Sequence, residues 1–99
     1  MDDEQLARAL SALGHPIRLA LYRRLVAVGV AGEGPVALAA HVGLQRNLIS
    51  YHLQPLVAAG LVRNERRGRD VNYRVVPTAL NKMVTDLLGL AISEVGVGD

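Results

Sequence analysis

The chain has 99 residues, 51% of them hydrophobic, and a net charge of only +2; that length makes one domain around one core. With three Tyr as its only aromatics, the core must come from Leu, Val, Ile and Ala, which suits packed helices. The lack of Cys excludes a disulfide scaffold, thiolate metal sites, thiol redox switching and a Cys nucleophile. No apolar run approaches the roughly 18 residues of a membrane span, and the acidic start MDDEQ is unlike a signal peptide, so a soluble, cytoplasmic protein is expected.

Residues 3–13 place Leu6, Ala9, Leu10 and Leu13 on one stripe at helical spacing, with acids in the first turn where they complement the dipole. Gly14 and His15 punctuate, and Pro16 is suited to open a second helix through about Val28. That helix turns Ile17, Leu21, Leu25 and Val28 inward. Gly29–Pro35 is a loop, Val36–Val42 a short helix ended by Gly43, and Leu44–Ala59 a longer one stopped by Gly60, with Leu48, Ile49, Leu53, Leu56 and Val57 inward. Pro55 falls inside that helix and predicts a bend. Residues 61–66 and 71–76 are β-rich and flank Arg67-Gly68-Arg69-Asp70, a hairpin pattern. Pro77-Thr78 introduces a last helix, residues 77–93, with Leu80, Met83, Val84, Leu87 and Leu88 on one face and a frayed tail, Glu94–Asp99.

The predicted fold is mainly α with a β-hairpin wing, in the order α-α-α-α-β-β-α. It is a single domain over residues 1–99, with a helix-turn-helix at 36–59 and a wing at 61–76. A helix-turn-helix needs a small residue at its turn so that the helices cross closely, and Gly43 supplies it. The outward side of the second helix then carries Gln45, Arg46, Asn47, Ser50, Tyr51 and Gln54. Such hydrogen-bonding groups read base edges: Arg to guanine, Asn or Gln to adenine, Ser to either. Residues 44–74 hold six Arg (Arg46, Arg63, Arg66, Arg67, Arg69, Arg74) against Glu65 and Asp70, a local excess of four positive charges. Wing arginines can lie along phosphates or enter a minor groove, although a solvated arginine face is the ordinary alternative. The conjunction of polar helix face, basic hairpin and charge excess in one block favours double-stranded DNA. A winged helix that binds protein or RNA is the competing class.

The chain resembles the ArsR/SmtB family of bacterial transcriptional repressors in three stretches: LGHPIRLALYRRL (13–25), VGLQRNLISYHLQPLVAAGLV (42–62) and RRGRDVNYRV (66–75). The resemblance spans about residues 5 to 90. It implies a dimer, two recognition helices on a near-palindromic operator, and release of DNA when an inducer, commonly a metal or metalloid ion, binds. By position, Arg46, Asn47, Ser50 and Tyr51 occupy the family's base-reading places, and Arg67 and Arg69 its wing tip. The family also pairs through its terminal helices. Here Leu6, Leu10 and Leu13 (helix 1–13) with Met83, Leu87 and Leu88 exceed what so small a domain needs to cover itself. Gln45 stands where Ser or Thr is usual and is a poorer N-cap.

The ligand sets of the family's ion sensors are missing. There is no Cys, and the last helix has no His, its acids being Asp86 and Glu94. The three histidines, His15, His41 and His52, share no helical face. His15 is expected to hydrogen-bond at its turn, and His52 to be a satisfied, partly buried side chain. Asp2, Asp3 and Glu4 need no explanation beyond the helix dipole. No metal site and no cofactor are therefore expected; a separate partner protein or a small organic effector in the dimer interface is the favoured route of regulation, with control by protein level alone as the alternative. No catalytic motif stands out. Glu33 is a lone carboxylate, read as a solvated loop residue, so an enzyme is not expected.

Overall fold

The computed structural model describes the backbone of residues 1–95 and the side chains of residues 1–89. Five helices and one hairpin follow in the expected order. Helix α1 (Asp3–Leu13) opens with a capping box, in which the Asp2 carboxylate accepts from the Gln5 N–H and the Gln5 side chain accepts from the Asp2 N–H. Helix α2 (Pro16–Val28) has Pro at its first position and His15 as N-cap, Nδ1 accepting the Ile17 N–H at 3.2 Å. Helix α3 (Pro35–Val42) starts one residue early because Pro35 suits a first turn.

The second helix of the helix-turn-helix is shorter than its hydrophobic pattern predicts. Gly43 adopts the left-handed conformation (φ +72), and the Leu44 N–H reaches back to the Ala39 carbonyl at 3.0 Å, closing α3. Gln45 is extended and its side chain caps nothing. Arg46–Leu48 then form one 3-10 turn, and the α-helix proper, α4, is Ile49–Ala58. Leu48, expected inward, is 39% exposed because the tighter turn rotates it off the buried stripe. Pro55 does not stop the helix, which continues to Ala58. Gly60 (φ +76) then terminates it, with the Leu61 N–H bonded to the Leu56 carbonyl.

Strands β1 (Val62–Arg67) and β2 (Asp70–Val75) pair antiparallel, Val62 opposite Val75 and Arg67 opposite Asp70. Each runs to the edge of a two-residue Gly68-Arg69 turn, with positive φ at Gly68 only, so the loop is shorter than expected. Residues 29–35 are more ordered than a plain loop. Gly29–Ala31 make a 3-10 turn, and Glu33 exchanges both backbone hydrogen bonds with Tyr73, at 2.8 and 2.9 Å. Helix α5 spans Pro77–Val95, so Glu94 and Val95 extend the helix rather than belonging to a frayed tail; residues 96–99 lie outside the described residues.

The core gathers Leu6, Ala9 and Ala12 of α1, Leu21, Tyr22 and Leu25 of α2, Leu38 of α3, Ile49, Leu53 and Leu56 of α4, and Leu61, Tyr73 and Val75 around the wing. Ile17, Val28 and Val57, expected inward, are only half-buried. Two residues expected at a dimer interface, Leu6 and Met83, are largely buried in this core, although Met83 still lines the groove between α1, α2 and α5. Leu10, Val84, Leu87 and Leu88 stay exposed, and an apolar groove of about 490 Å³ opens between α1, α2 and α5, lined by Leu13, Leu19, Tyr22, Val26, Leu80 and Met83. Among the described residues no helix is long and apolar enough to cross a membrane.

Gly32 tests how tightly the wing is strapped. It sits at φ +68, and an added Cβ would lie 2.5 Å from both the Tyr73 carbonyl oxygen and the Asn72 amide nitrogen. Gly60 also has positive φ, but its Cβ would meet open space. In urea unfolding, Gly60→Ala should cost about 1 kcal/mol, the left-handed strain alone, and Gly32→Ala about 3 kcal/mol or more. Equal losses would show that the strap is not close-packed.

Candidate nucleic-acid interface

The 3-10 turn and first α4 turn carry Arg46, Asn47 and Ser50 to one wall of an open hollow of about 520 Å³, closed opposite by Val71 and Tyr73 of β2 and at its rim by Pro35. The turn chemistry makes this arrangement: the chain swings from Gly43 through extended Gln45, so Arg46 and Asn47 precede the α-helix rather than riding within it. Arg46, Asn47, Ser50, Tyr51 and Gln54 are all exposed, as is Gln45. Tyr51 stays largely in solvent. Its ring meets His52 edge-on, with centroids 5.2 Å apart, and is 68% exposed. The Ser50 hydroxyl is not free: it lies 3.2 Å from the Tyr73 hydroxyl.

The wing arginines divide into two groups. Arg74 pairs with Glu65, and Arg67 reaches the same carboxylate at 3.6 Å. Arg63, Arg66 and Arg69 are exposed and have no carboxylate partner among the described residues, and neither does Arg46. Arg63 and Arg74 are directly opposite across the hairpin, and Glu65 pairs with only the latter of the two.

Three residues outside the expected site hold it in place. Glu33 is no solvated loop residue: its side chain is 11% exposed and is paired with Arg24 of α2 at 3.0 Å. Its backbone fastens β2 at Tyr73, whose side chain spans to Ser50. The period-two pattern Val71, Tyr73, Val75 was the available sign that Tyr73 faces inward. Nothing local announces that Glu33 meets Arg24 or Tyr73.

Behind α4, His15 and His52 come together across α2 and α4, ring centroids 5.4 Å apart. His52 is 9% exposed, and its Nδ1 is buried without a hydrogen-bond partner, as is Arg18 Nε. A satisfied side chain was expected, and no protein group among the described residues supplies Nδ1 with a partner. Burial, then the facing His15 and Arg18, hold the His52 pKa below the usual imidazole value. Two imidazoles beside a guanidinium, with no Cys in the chain and no cluster of three metal-ligating side chains among the described residues, do not fit a metal ion.

A family profile described as a helix-turn-helix domain matches residues 13–65. The HTH-type transcriptional regulator CmtR of Mycobacterium tuberculosis is 36% identical over 93 residues, covering 94% of this chain and 76% of the relative. The chain belongs to the ArsR/SmtB family of winged helix-turn-helix transcriptional regulators. An ArsR-like transcriptional regulator from Rhodococcus sp. RHA1 superposes with a TM-score of 0.77 at 30% identity, covering 91% of this chain and 82% of that one. The homodimeric winged helix-turn-helix DNA-binding domain of a possible ArsR-family regulator from Mycobacterium bovis has a TM-score of 0.70 at 25% identity, with 97% and 87% coverage. The family is one of DNA-binding regulators and not of enzymes.

The His52 environment gives the family member a testable acid sensitivity. The unfolded imidazole titrates near 6.5, whereas the folded one stays neutral to lower pH. Between these values the unfolded state binds more protons, so stability is full above about pH 6.5 and falls as pH drops toward the depressed folded value. Urea unfolding at pH 7.5 and pH 5 should show this loss, and His52→Leu should diminish it. An undiminished loss in the variant would place its origin elsewhere.

Proposed function

We propose that this regulator acts as a homodimeric, sequence-specific repressor that reads a near-palindromic operator with two copies of the Arg46–Gln54 surface. The observation that carries the reading is the shared hollow: Arg46, Asn47 and Ser50 face the wing strand across it, beside three wing arginines that have no carboxylate partner among the described residues. Arg46 and Asn47, with Gln45, Tyr51 and Gln54 around them, read base edges. Arg63, Arg66 and Arg69 supply the phosphate attraction. Arg67 and Arg74 share Glu65 and contribute less to it. On this reading the boundaries are residues 46–58 for recognition, 62–75 for the wing, and α1 with α5 for pairing.

Pairing uses Leu10, Leu13, Leu87 and Leu88, apolar residues of α1 and α5 that the fold leaves uncovered or half-covered. One winged helix makes too few contacts for operator affinity, and two-fold symmetry doubles them on a palindromic site. The CmtR relative is named a transcriptional regulator, and a further structural neighbour, AntR, an antimony-specific transcriptional repressor. Antimony is not carried over to this chain, because it lacks the thiolates a thiophilic ion needs. Any inducer must bind the free and DNA-bound states differently. A separate sensor protein or a small organic effector seated between protomers meets that requirement without ion ligands.

The decisive experiment selects duplexes from a random-sequence pool with the purified protein and compares the winner with its scrambled form. A two-fold symmetric winner, bound with competitor resistance, supports the reading; no enrichment would refute it in favour of a protein-interaction module. On that duplex, Arg46→Ala or Asn47→Ala should cost about 1–3 kcal/mol and relax one position per half-site. Arg69→Ala should weaken all duplexes alike and reduce the salt slope by about one. Leu88→Glu, at a position 58% exposed in the protomer, should give a monomeric mass by light scattering with helical content retained. A dimeric Leu88→Glu would remove α5 from the interface.

A further inference from the structure

The Ser50–Tyr73 contact joins the recognition helix to the wing, and the two hydroxyls are not equivalent. Tyr73 is 5% exposed, and its backbone is pinned by Glu33 on both sides of the peptide. Among the described residues, Ser50 Oγ is the only hydrogen-bond partner of its hydroxyl. Ser50 lies on the exposed side and opens on the hollow shared with Arg46 and Asn47. A buried donor left without an acceptor is costly, whereas an exposed one finds water or a ligand. The favoured polarity therefore runs from Tyr73 to Ser50.

We infer that Tyr73 is a positioning residue for DNA recognition: its hydroxyl donates to Ser50 Oγ, occupying one of the two lone pairs there and leaving the Ser50 proton to be donated outward, to an acceptor atom on DNA. A free serine reads donors and acceptors alike. With one of its two lone pairs taken by the Tyr73 proton, Ser50 keeps its own proton for an acceptor and favours acceptors over donors: guanine O6 or N7, adenine N7, thymine O4 or a phosphate oxygen. The same bond keeps β2 at a set distance from Arg46 and Asn47, so one contact fixes both the polarity of Ser50 and the width of the reading site. This rests on the operator reading above, which located Ser50 at the DNA but left its hydroxyl ambivalent.

The test measures affinities of wild type, Tyr73→Phe, Ser50→Ala and the double variant for the selected duplex and its scrambled form. Each single variant should bind the selected duplex about fivefold more weakly, the worth of one net hydrogen bond. The double variant should be no weaker than either single one, because both remove the same relay. Loss confined to the selected duplex identifies a base-edge acceptor. Equal loss on both duplexes, with an unchanged salt slope, identifies a phosphate oxygen. Wild-type affinity in Tyr73→Phe, or single losses that multiply in the double variant, would overturn the relay while leaving operator recognition intact. A wild-type protein that does not discriminate the two duplexes would remove the functional reading and the relay together. Should Tyr73→Phe melt at the assay temperature, the exposed position decides alone: Ser50→Thr should retain affinity within about twofold and Ser50→Val should lose about fivefold, and equal affinities would overturn the relay.

Discussion

A two-stranded hairpin in water has too little buried surface to hold its own orientation, and the wing of this protein is useful only if it is held. The backbone exchange between Glu33 and Tyr73 does the holding. It adds a third, one-residue strand to the sheet and is reinforced by the Asn72 amide donating to the Ala31 carbonyl at 3.0 Å. The Arg24–Glu33 ion pair transmits the restraint to α2, the central helix of the core. Removing Arg24 leaves the largely buried Glu33 carboxylate without its partner, which costs more than the bond itself contributed. Helix, loop, wing and recognition surface thus share a single chain of contacts that ends at Ser50.

The order of elements was legible from hydrophobic period and glycine placement, since Gly43 and Gly60 both stand where positive φ closes a helix and Pro16 and Pro77 stand where helices begin. The start of α4 was not. Leu44 and Leu48 continue the apolar period of Ile49, Leu53 and Leu56, and a period says which face is apolar without saying whether the turn is α or 3-10. Gln45 was legible as a poor cap from its residue type, but that its failure gives a 3-10 turn at Arg46–Leu48 was not. Similarly, Leu6 and Leu10 look alike on a helical wheel, yet one is buried and the other exposed, because the crossing of α1 over α4 and α5 selects between them.

The polar face of the candidate site followed from composition, since hydrogen-bonding residues at exposed helical positions are few and contiguous. What joins that face to the rest of the fold did not follow. Glu33, Ser50 and Tyr73 are far apart in the chain, and their meeting is a product of tertiary packing. The histidines make the same point in reverse. His15 and His52 share no helical face in sequence, yet α2 and α4 cross so that their rings approach, a crossing that also leaves His52 Nδ1 and Arg18 Nε unsatisfied.

The placement of the Tyr73 anchor along its strand has a mechanical consequence. Beyond Val71, the last residue of β2 that packs against the core, the wing runs out to its tip at Gly68-Arg69, a cantilever of about 7 Å at the usual strand rise. Its root is stiff and its free end compliant. Contacts made near the root tolerate little misfit and so discriminate. Those made by Arg69 at the tip can follow a groove that widens or narrows with sequence. Stiffness graded along one hairpin lets the same element be selective at one end and merely adhesive at the other.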